Sequence, residues 1–169
     1  MGIWDSITGI LTPAKKTGTP KSKIILPDFP TGDTTCNQIS YLHPRVMNKV
    51  IEIINNCKGE GFFIVETYRT PERQDILYEQ GRSTEGGIVT KARAWESYHN
   101  YGLALDISHT PSDIVDAFEN AGFEWGGRWE SFKDLPHFQM TFGLSVSDLK
   151  ELYAEGGLIK IWEYISSIS

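Results

Sequence analysis

Between His43 and Asn56 the apolar residues Val46, Met47, Val50, Ile51, Ile53 and Ile54 recur at the spacing of one helix face, and Gly59 and Gly61 then end the pattern. Gly61 to Tyr68 is dense in Phe, Ile and Val and predicts a strand. Thr70-Pro71 follows at once: a threonine that can accept a first-turn N–H, then a proline that needs no donor, predicts a helix running to about Gln80-Gly81. Arg69 thereby falls where a strand passes into a helix. Leu103, Leu105 and Ile107 alternate with Gly102, Ala104, Asp106 and Ser108, which predicts a strand whose second face is small or acidic, with Asp106 projecting from it. Thr110-Pro111 opens a further helix with Ile114, Val115, Ala117 and Phe118 as its buried stripe and Gly122 near its end.

After the turn residue Pro136, His137 to Thr141 reads as a strand with His137 and Gln139 on one face and Phe138 and Met140 on the other. His137 can then face Asp106 from a neighbouring strand. Ser145 with Asp148 three residues on resembles a capping box for a helix to Glu155, which Gly156-Gly157 ends before a final amphipathic segment. Helices and short strands without strict alternation point to an α+β domain. Residues 1–33 differ from this: a short apolar stretch, Ile7 to Leu11, precedes a loose run of Thr, Pro, Gly and Lys. They are read as an extension or linker, with a short surface helix at residues 3–11 as the alternative to a disordered tail. Residues 34–169 form the expected domain.

The chain has 169 residues, 40% hydrophobic and 22% charged, which suits one compact domain with a real core. Sixteen basic against 22 acidic residues leave a net charge of −6, which argues against nucleic acid as a partner, since phosphate binding needs clustered Lys and Arg. Five tryptophans suit a lined cleft, but each taken singly is assigned to the core. The two cysteines, Cys36 and Cys57, build neither a disulfide framework nor a thiolate zinc site, so a metal here must use His and carboxylate. No apolar run approaches the ~18 residues of a membrane span, and no basic-then-apolar leader with a cleavage site opens the chain. Synthesis as a soluble cytoplasmic protein and a monomeric state are expected; a substrate beyond the membrane would require release.

The candidate chemistry lies in four groups that converge on two adjacent strands: His99, Asp106 seven residues later, Asp134, and His137 three residues after that. Two imidazoles and one carboxylate are the ligand set of catalytic zinc, whose fourth position stays open to water, whereas structural zinc takes four protein ligands. Water on Zn²⁺ drops in pKa from about 16 to about 7, which makes hydroxide available for attack on an amide carbonyl. Asp134 is placed to accept the water proton and pass it to the departing amine; its bland alternative is a turn aspartate before Leu135-Pro136. Arg69 is the candidate for stabilising the oxyanion, against the commoner solvated or ion-paired arginine. His43 and His109 are both read as ordinary polar positions, His109 having the stronger claim to a role.

Ser97-Tyr98-His99-Asn100-Tyr101-Gly102-Leu103-Ala104-Leu105-Asp106 fits S-x-H-x-x-G-x-A-x-D, and Asp134-Leu135-Pro136-His137-Phe138 supplies a second motif in matching order. Together they resemble the peptidoglycan-cleaving metallopeptidases that include D-alanyl-D-alanine carboxypeptidases and phage L-alanyl-D-glutamate endopeptidases. Tyr68-Arg69-Thr70, the series Gln74, Leu77, Tyr78, Gln80, Gly81, Arg82, and Phe123 to Trp129 look like the endopeptidase branch, as does Asp rather than Glu at position 134. The resemblance covers about residues 38–157. It implies a small antiparallel sheet carrying a zinc cleft and flanked by helices, with His99, Asp106 and His137 as ligands, Asp134 as base, and Arg69 and Ser97 as substrate or transition-state contacts. It further implies the peptidoglycan stem peptide as substrate, cut between L-Ala and D-Glu in endolysin-type wall lysis. The competing readings are a D-alanyl-D-alanine carboxypeptidase and a non-catalytic zinc-stabilised binding module; an acidic base at position 134 speaks against the second.

Overall fold

A computed structural model describes residues 23–57 and 61–168. The expected helix at residues 3–11 lies outside them. Helix α1, Pro44–Asn56, takes Val46, Val50 and Ile53 into the core, while Ile51 and Ile54 sit on the rim of the stripe and are exposed. His43 caps it: its Nδ1 accepts the Arg45 N–H at 3.1 Å. Strand β1, Ile64–Glu66, is shorter than the apolar run suggests, because a register irregularity between Ile64 and Glu66 interrupts its ladder. Helix α2, Pro71–Glu79, starts where the threonine and proline require, with Thr70 Oγ1 accepting the Arg73 N–H.

Strand β2, Ala104–Ile107, and helix α3, Ser112–Asn120, follow, and then β3, Glu124–Trp125, a two-residue strand that the sequence pattern does not reveal. Strand β4 spans His137–Gln139, and helix α4 runs from Val146 to Ser167. A kink at Gly156 and Gly157 divides α4, and the capping box of Ser145 and Asp148 starts it, both as the sequence suggests. The sheet is antiparallel throughout, in the order β1-β2-β4-β3. The fold is thus α+β, a small antiparallel sheet flanked by helices.

Register decides which side of this sheet does what. Leu105 opposes Phe138, and both, with Ile107, are buried in the core with Phe118, Ile114 and Val50. Asp106 opposes His137 and Ala104 opposes Gln139, so the other face of the same two strands carries every polar group of the central pair. Burying one face sets the register, and a slip of one residue would exchange Phe138 for His137.

Part of the segment read as a linker lies against this domain. Ile24, Leu26 and Phe29 pack on the core, with the Phe29 ring 4.3 Å from that of Tyr68 and 5.8 Å from that of Trp162, centroid to centroid. The second half of α4 packs into the same core through Ile161, Trp162 and Ile165. Gly102, at φ +69°, lies under Trp162; a Cβ there would come within 2.6 Å of the Tyr41 carbonyl oxygen, so both the backbone conformation and the space demand glycine. No helix among the described residues is long and apolar enough to cross a membrane.

His43 is not the ordinary polar residue that its position suggests. It is fully buried, with Nε2 3.1 Å from the Trp162 carbonyl oxygen and 3.2 Å from Ser166 Oγ, tying α1 to α4. Because Nδ1 accepts, the proton sits on Nε2, and a second proton would face the Arg45 N–H. Burial accordingly pushes its pKa down to about 4, with the Trp162 carbonyl opposing and Arg45 adding to the fall. Above pH ~6.5 folded and unfolded chains are both neutral here and the stability is complete; below it the unfolded chain takes up a proton that the folded one refuses. Metal-free protein should therefore lose about 3 kcal/mol between pH 7.5 and pH 4 from this group. Urea unfolding midpoints of wild type and His43→Gln measure it: the pH-dependent difference should shrink in the variant, and an unaltered pH slope would contradict the assignment.

Candidate metal centre

His99 lies in a 3-10 turn, Tyr98–Tyr101, that Ser97 begins by accepting the His99 N–H and that Gly102 ends. Backbone bonds then lock the turn to the exit of β1: Arg69 N–H donates to the His99 carbonyl, and Asn100 Nδ2 donates to the Arg69 carbonyl. Ser97, His99 and Arg69 are thus brought to the head of the sheet face that already carries Asp106 and His137.

Both rings are oriented by acceptors behind them. His99 Nδ1 donates to the Thr67 carbonyl oxygen at 2.6 Å, which leaves the lone pair on Nε2. His137 Nε2 donates to Gln139 Oε1 at 3.0 Å, which leaves the lone pair on Nδ1. Gln139 is held in that sense by donating its own Nε2 to Glu124 Oε2 at 3.0 Å. The two free lone pairs point at each other across 3.1 Å, and Asp106 Oδ1 is 3.1 Å from each.

Three facing lone pairs repel unless positive charge lies between them. Burial opposes ionisation of Asp106, yet the two histidines hold its carboxyl well below the usual carboxylate range. For His137, burial resists protonation and the Asp106 carboxylate overrides it, raising the imidazole above its ordinary value. Each group therefore favours positive charge at the centre of the triangle. A four-coordinate ion with bonds of ~2.0–2.1 Å has ligand atoms roughly 3.3 Å apart, close to the spacing found, so the residues fit a divalent ion of zinc's size and ligand preference. These three form the group of His, Cys, Asp and Glu side chains, among the described residues, that could hold a metal.

A buried ionic chain supports Asp106 from below. Arg69 Nη2 donates to Asp106 Oδ2 at 3.0 Å, and Nε and Nη2 also clasp Glu66, which is itself buried. Nη1 reaches Gln74 Oε1 at 3.1 Å, so four of the five guanidinium N–H groups are engaged and one remains. Arg73 then joins Glu66 to Asp33. The charges alternate along the whole chain, which is what lets four of them lie at low exposure.

Asp134 reaches the cleft from the loop between β3 and β4. Its N–H donates to the Gly126 carbonyl and Trp125 Nε1 donates to the Leu135 carbonyl, so the loop is closed on itself. Gly126 is required here, because a Cβ would lie 2.5 Å from the Asp134 carbonyl oxygen and 3.2 Å from His137 Cβ. Burial first, then the Asp106 carboxylate, pushes the Asp134 carboxyl up, against the pull of His137, His99 and Arg69. All six residues singled out from the sequence thus gather at one end of the sheet, and Arg69, Ser97, His99, Asp134 and His137 line a cleft of about 350 Å³. Trp129 lines it too, its ring 5.1 Å from His137, which corrects the assignment of every tryptophan to the core. His109 is exposed and bonds only its neighbour Ser108, outside the cluster. Glu66 and Glu124 escaped the sequence reading; Gln139 was placed on the strand face of His137 and Gln74 in the endopeptidase-like series, but neither was given a part at the site.

Known proteins are similar to this chain in sequence. A family model described as D-alanyl-D-alanine carboxypeptidase covers residues 90–140. The peptidoglycan L-alanyl-D-glutamate endopeptidase CwlK of Bacillus subtilis (strain 168) is 39% identical over 124 residues, 60% of this chain and 74% of that protein. The chain belongs to the family of peptidoglycan L-alanyl-D-glutamate endopeptidases. A second member, the L-alanyl-D-glutamate peptidase of Listeria phage A118, is 28% identical over 130 residues; the match takes in 61% of this chain and 43% of that protein, less than half its length. The crystal structure of the L-Ala D-Glu endopeptidase ChiX of Serratia marcescens is 26% identical and aligns with a TM-score of 0.44 over 62% of this chain and 84% of that one.

Orientation of His137 by Gln139 has a measurable consequence. Gln139→Leu keeps the volume and removes the acceptor, which should weaken zinc binding by roughly 10- to 100-fold. Titration against a competing chelator gives the dissociation constant, and an unchanged value would show that the ring needs no such partner.

Proposed function

We propose that this chain is a zinc-dependent peptidase of the bacterial cell wall that hydrolyses the peptidoglycan stem peptide between L-Ala and D-Glu. His99, Asp106 and His137 would hold the ion, Asp134 is the general base and acid, and Arg69 and Ser97 contact the substrate. The observation that carries this reading is the triangle of lone pairs 3.1 Å on a side, set in a cleft beside a carboxyl that is not part of it. When bound, zinc supplies Lewis acidity and brings the pKa of water to about 7. The names of the relatives supply the bond and the polymer.

Each residue's task follows from its surroundings. Asp134, half-buried and pushed up by Asp106, is a better base than a solvated aspartate and can return the proton to the leaving amine. Arg69 keeps one N–H and its positive charge for the carbonyl oxygen on which negative charge builds, and its clasp on Glu66 and Asp106 holds it still meanwhile. Ser97 Oγ already accepts the His99 N–H, so its hydroxyl proton is available to a substrate carbonyl. The carboxypeptidase description of the matched family model favours one alternative, release of terminal D-Ala from the same site.

Two experiments test the reading. Asp134→Ala should retain zinc and fold while kcat on purified muropeptides falls roughly 100- to 10,000-fold; undiminished turnover would remove Asp134 from the mechanism. Mass analysis of wild-type digests should show new L-Ala carboxyl ends and D-Glu amino ends, abolished by chelation and restored by zinc. Free D-Ala as the product would replace the endopeptidase assignment by the carboxypeptidase one.

A further inference from the structure

Residues 89–92 line the cleft together with Trp129, Ser131, Phe132 and Asp134, and Lys91 links the two segments. Its Nζ donates to the Ser131 carbonyl oxygen at 3.3 Å and lies 5.5 Å from the centre of the Phe132 ring. Two ammonium N–H groups remain, and Lys91 pairs with no carboxylate among the described residues. Arg69, the other Arg or Lys lining the cleft, gives four of its five N–H groups to Glu66, Asp106 and Gln74, and the fifth is the one assigned above to the reacting carbonyl. The anions are Asp134, Glu96 and, beneath them, Asp106; Glu96 is already taken by Lys150 and the Arg93 N–H.

The backbone that presents Lys91 is anchored. Fully buried Gln74 donates to the Ala92 carbonyl at 2.7 Å and to Thr90 Oγ1 at 3.4 Å, and its own Oε1 accepts from Arg69. Thr90 Oγ1 accepts the Ala92 N–H, and Arg82 donates to the Thr90 carbonyl. The residues on both sides of Lys91 are thus tied through one glutamine to the guanidinium that orients Asp106. This fixes the backbone from which the exposed Lys91 side chain extends over the cleft.

A D-glutamyl residue following the scissile bond carries two carboxyl groups. One continues the stem peptide; the other stands a few bonds from the scissile nitrogen, either as a carboxylate or as an amide. The ion and Arg69 would offset Asp106, but Asp134 remains an anion lining the cleft, so a carboxylate beside it gains from a cation of its own. We propose that Lys91 binds this carboxylate and makes the enzyme prefer the charged D-glutamyl residue to its amidated form. The proposal rests on the peptidase reading above.

The test is kcat/KM on two synthetic stem peptides that differ only in carboxylate against amide at that group, with wild type, Lys91→Met and Lys91→Arg. Wild type should prefer the carboxylate about tenfold or more, Lys91→Met should bring the ratio close to one, and Lys91→Arg should restore most of it. A wild type without preference, or a Lys91→Met variant that keeps the wild-type ratio, overturns the role of Lys91 while leaving the peptidase reading intact. Cleavage of neither peptide by wild type overturns both.

Discussion

Three lone pairs aimed at one point are the constraint around which the molecule is arranged. His99 Nε2, His137 Nδ1 and Asp106 Oδ1 stand 3.1 Å from one another, an arrangement that is unfavourable by itself and favourable around a cation. Three groups keep them from turning away: the Thr67 carbonyl behind His99 and the Arg69 guanidinium behind Asp106, both at the exit of β1, and the Gln139 amide behind His137 on β4. The two core faces of β2 and β4 supply the rest, since Leu105 and Phe138 can be buried only if Asp106 and His137 face the cleft.

The same groups link the ion site to the substrate cleft. Arg69 is the clasp on Asp106 and, in the proposed reaction, would also be the source of positive charge beside the reacting carbonyl; Gln74 extends that clasp to the segment that carries Lys91. Gly126 does the corresponding work in the Asp134 loop, where its missing side chain lets Asp134 approach His137. Rigidity at the base of the cleft and exposed, polar residues at its rim fit a site that must hold its chemistry still while admitting a polymer.

Much of this was readable in the sequence, and the exceptions share a cause. Helix α1 was legible because its apolar residues repeat over several turns; Ile51 and Ile54 are exposed because the stripe that meets the core is narrower than the set of apolar positions. The fold class was legible from the mixed periodicities, and the three side chains that could hold a metal were legible as candidates because they sit in short, ordered motifs. Strand β3 was not, since two residues display no period. Glu66 passed as part of an apolar strand, and its burial is intelligible only once Arg69 and Arg73 fold back upon it. The Glu124–Gln139–His137 relay runs laterally between strands, and His43 reaches α4 across more than a hundred residues, contacts that spacing along the chain does not encode.

The central claim is that two imidazoles and one carboxylate share a single divalent ion. X-ray absorption at the zinc edge of the purified, zinc-loaded protein tests it most directly. The spectrum should show one zinc per chain with two imidazole nitrogens and oxygen neighbours at ~2.0–2.1 Å. Protein that binds no zinc and hydrolyses the wall at full rate, or a spectrum without imidazole scattering, would contradict it.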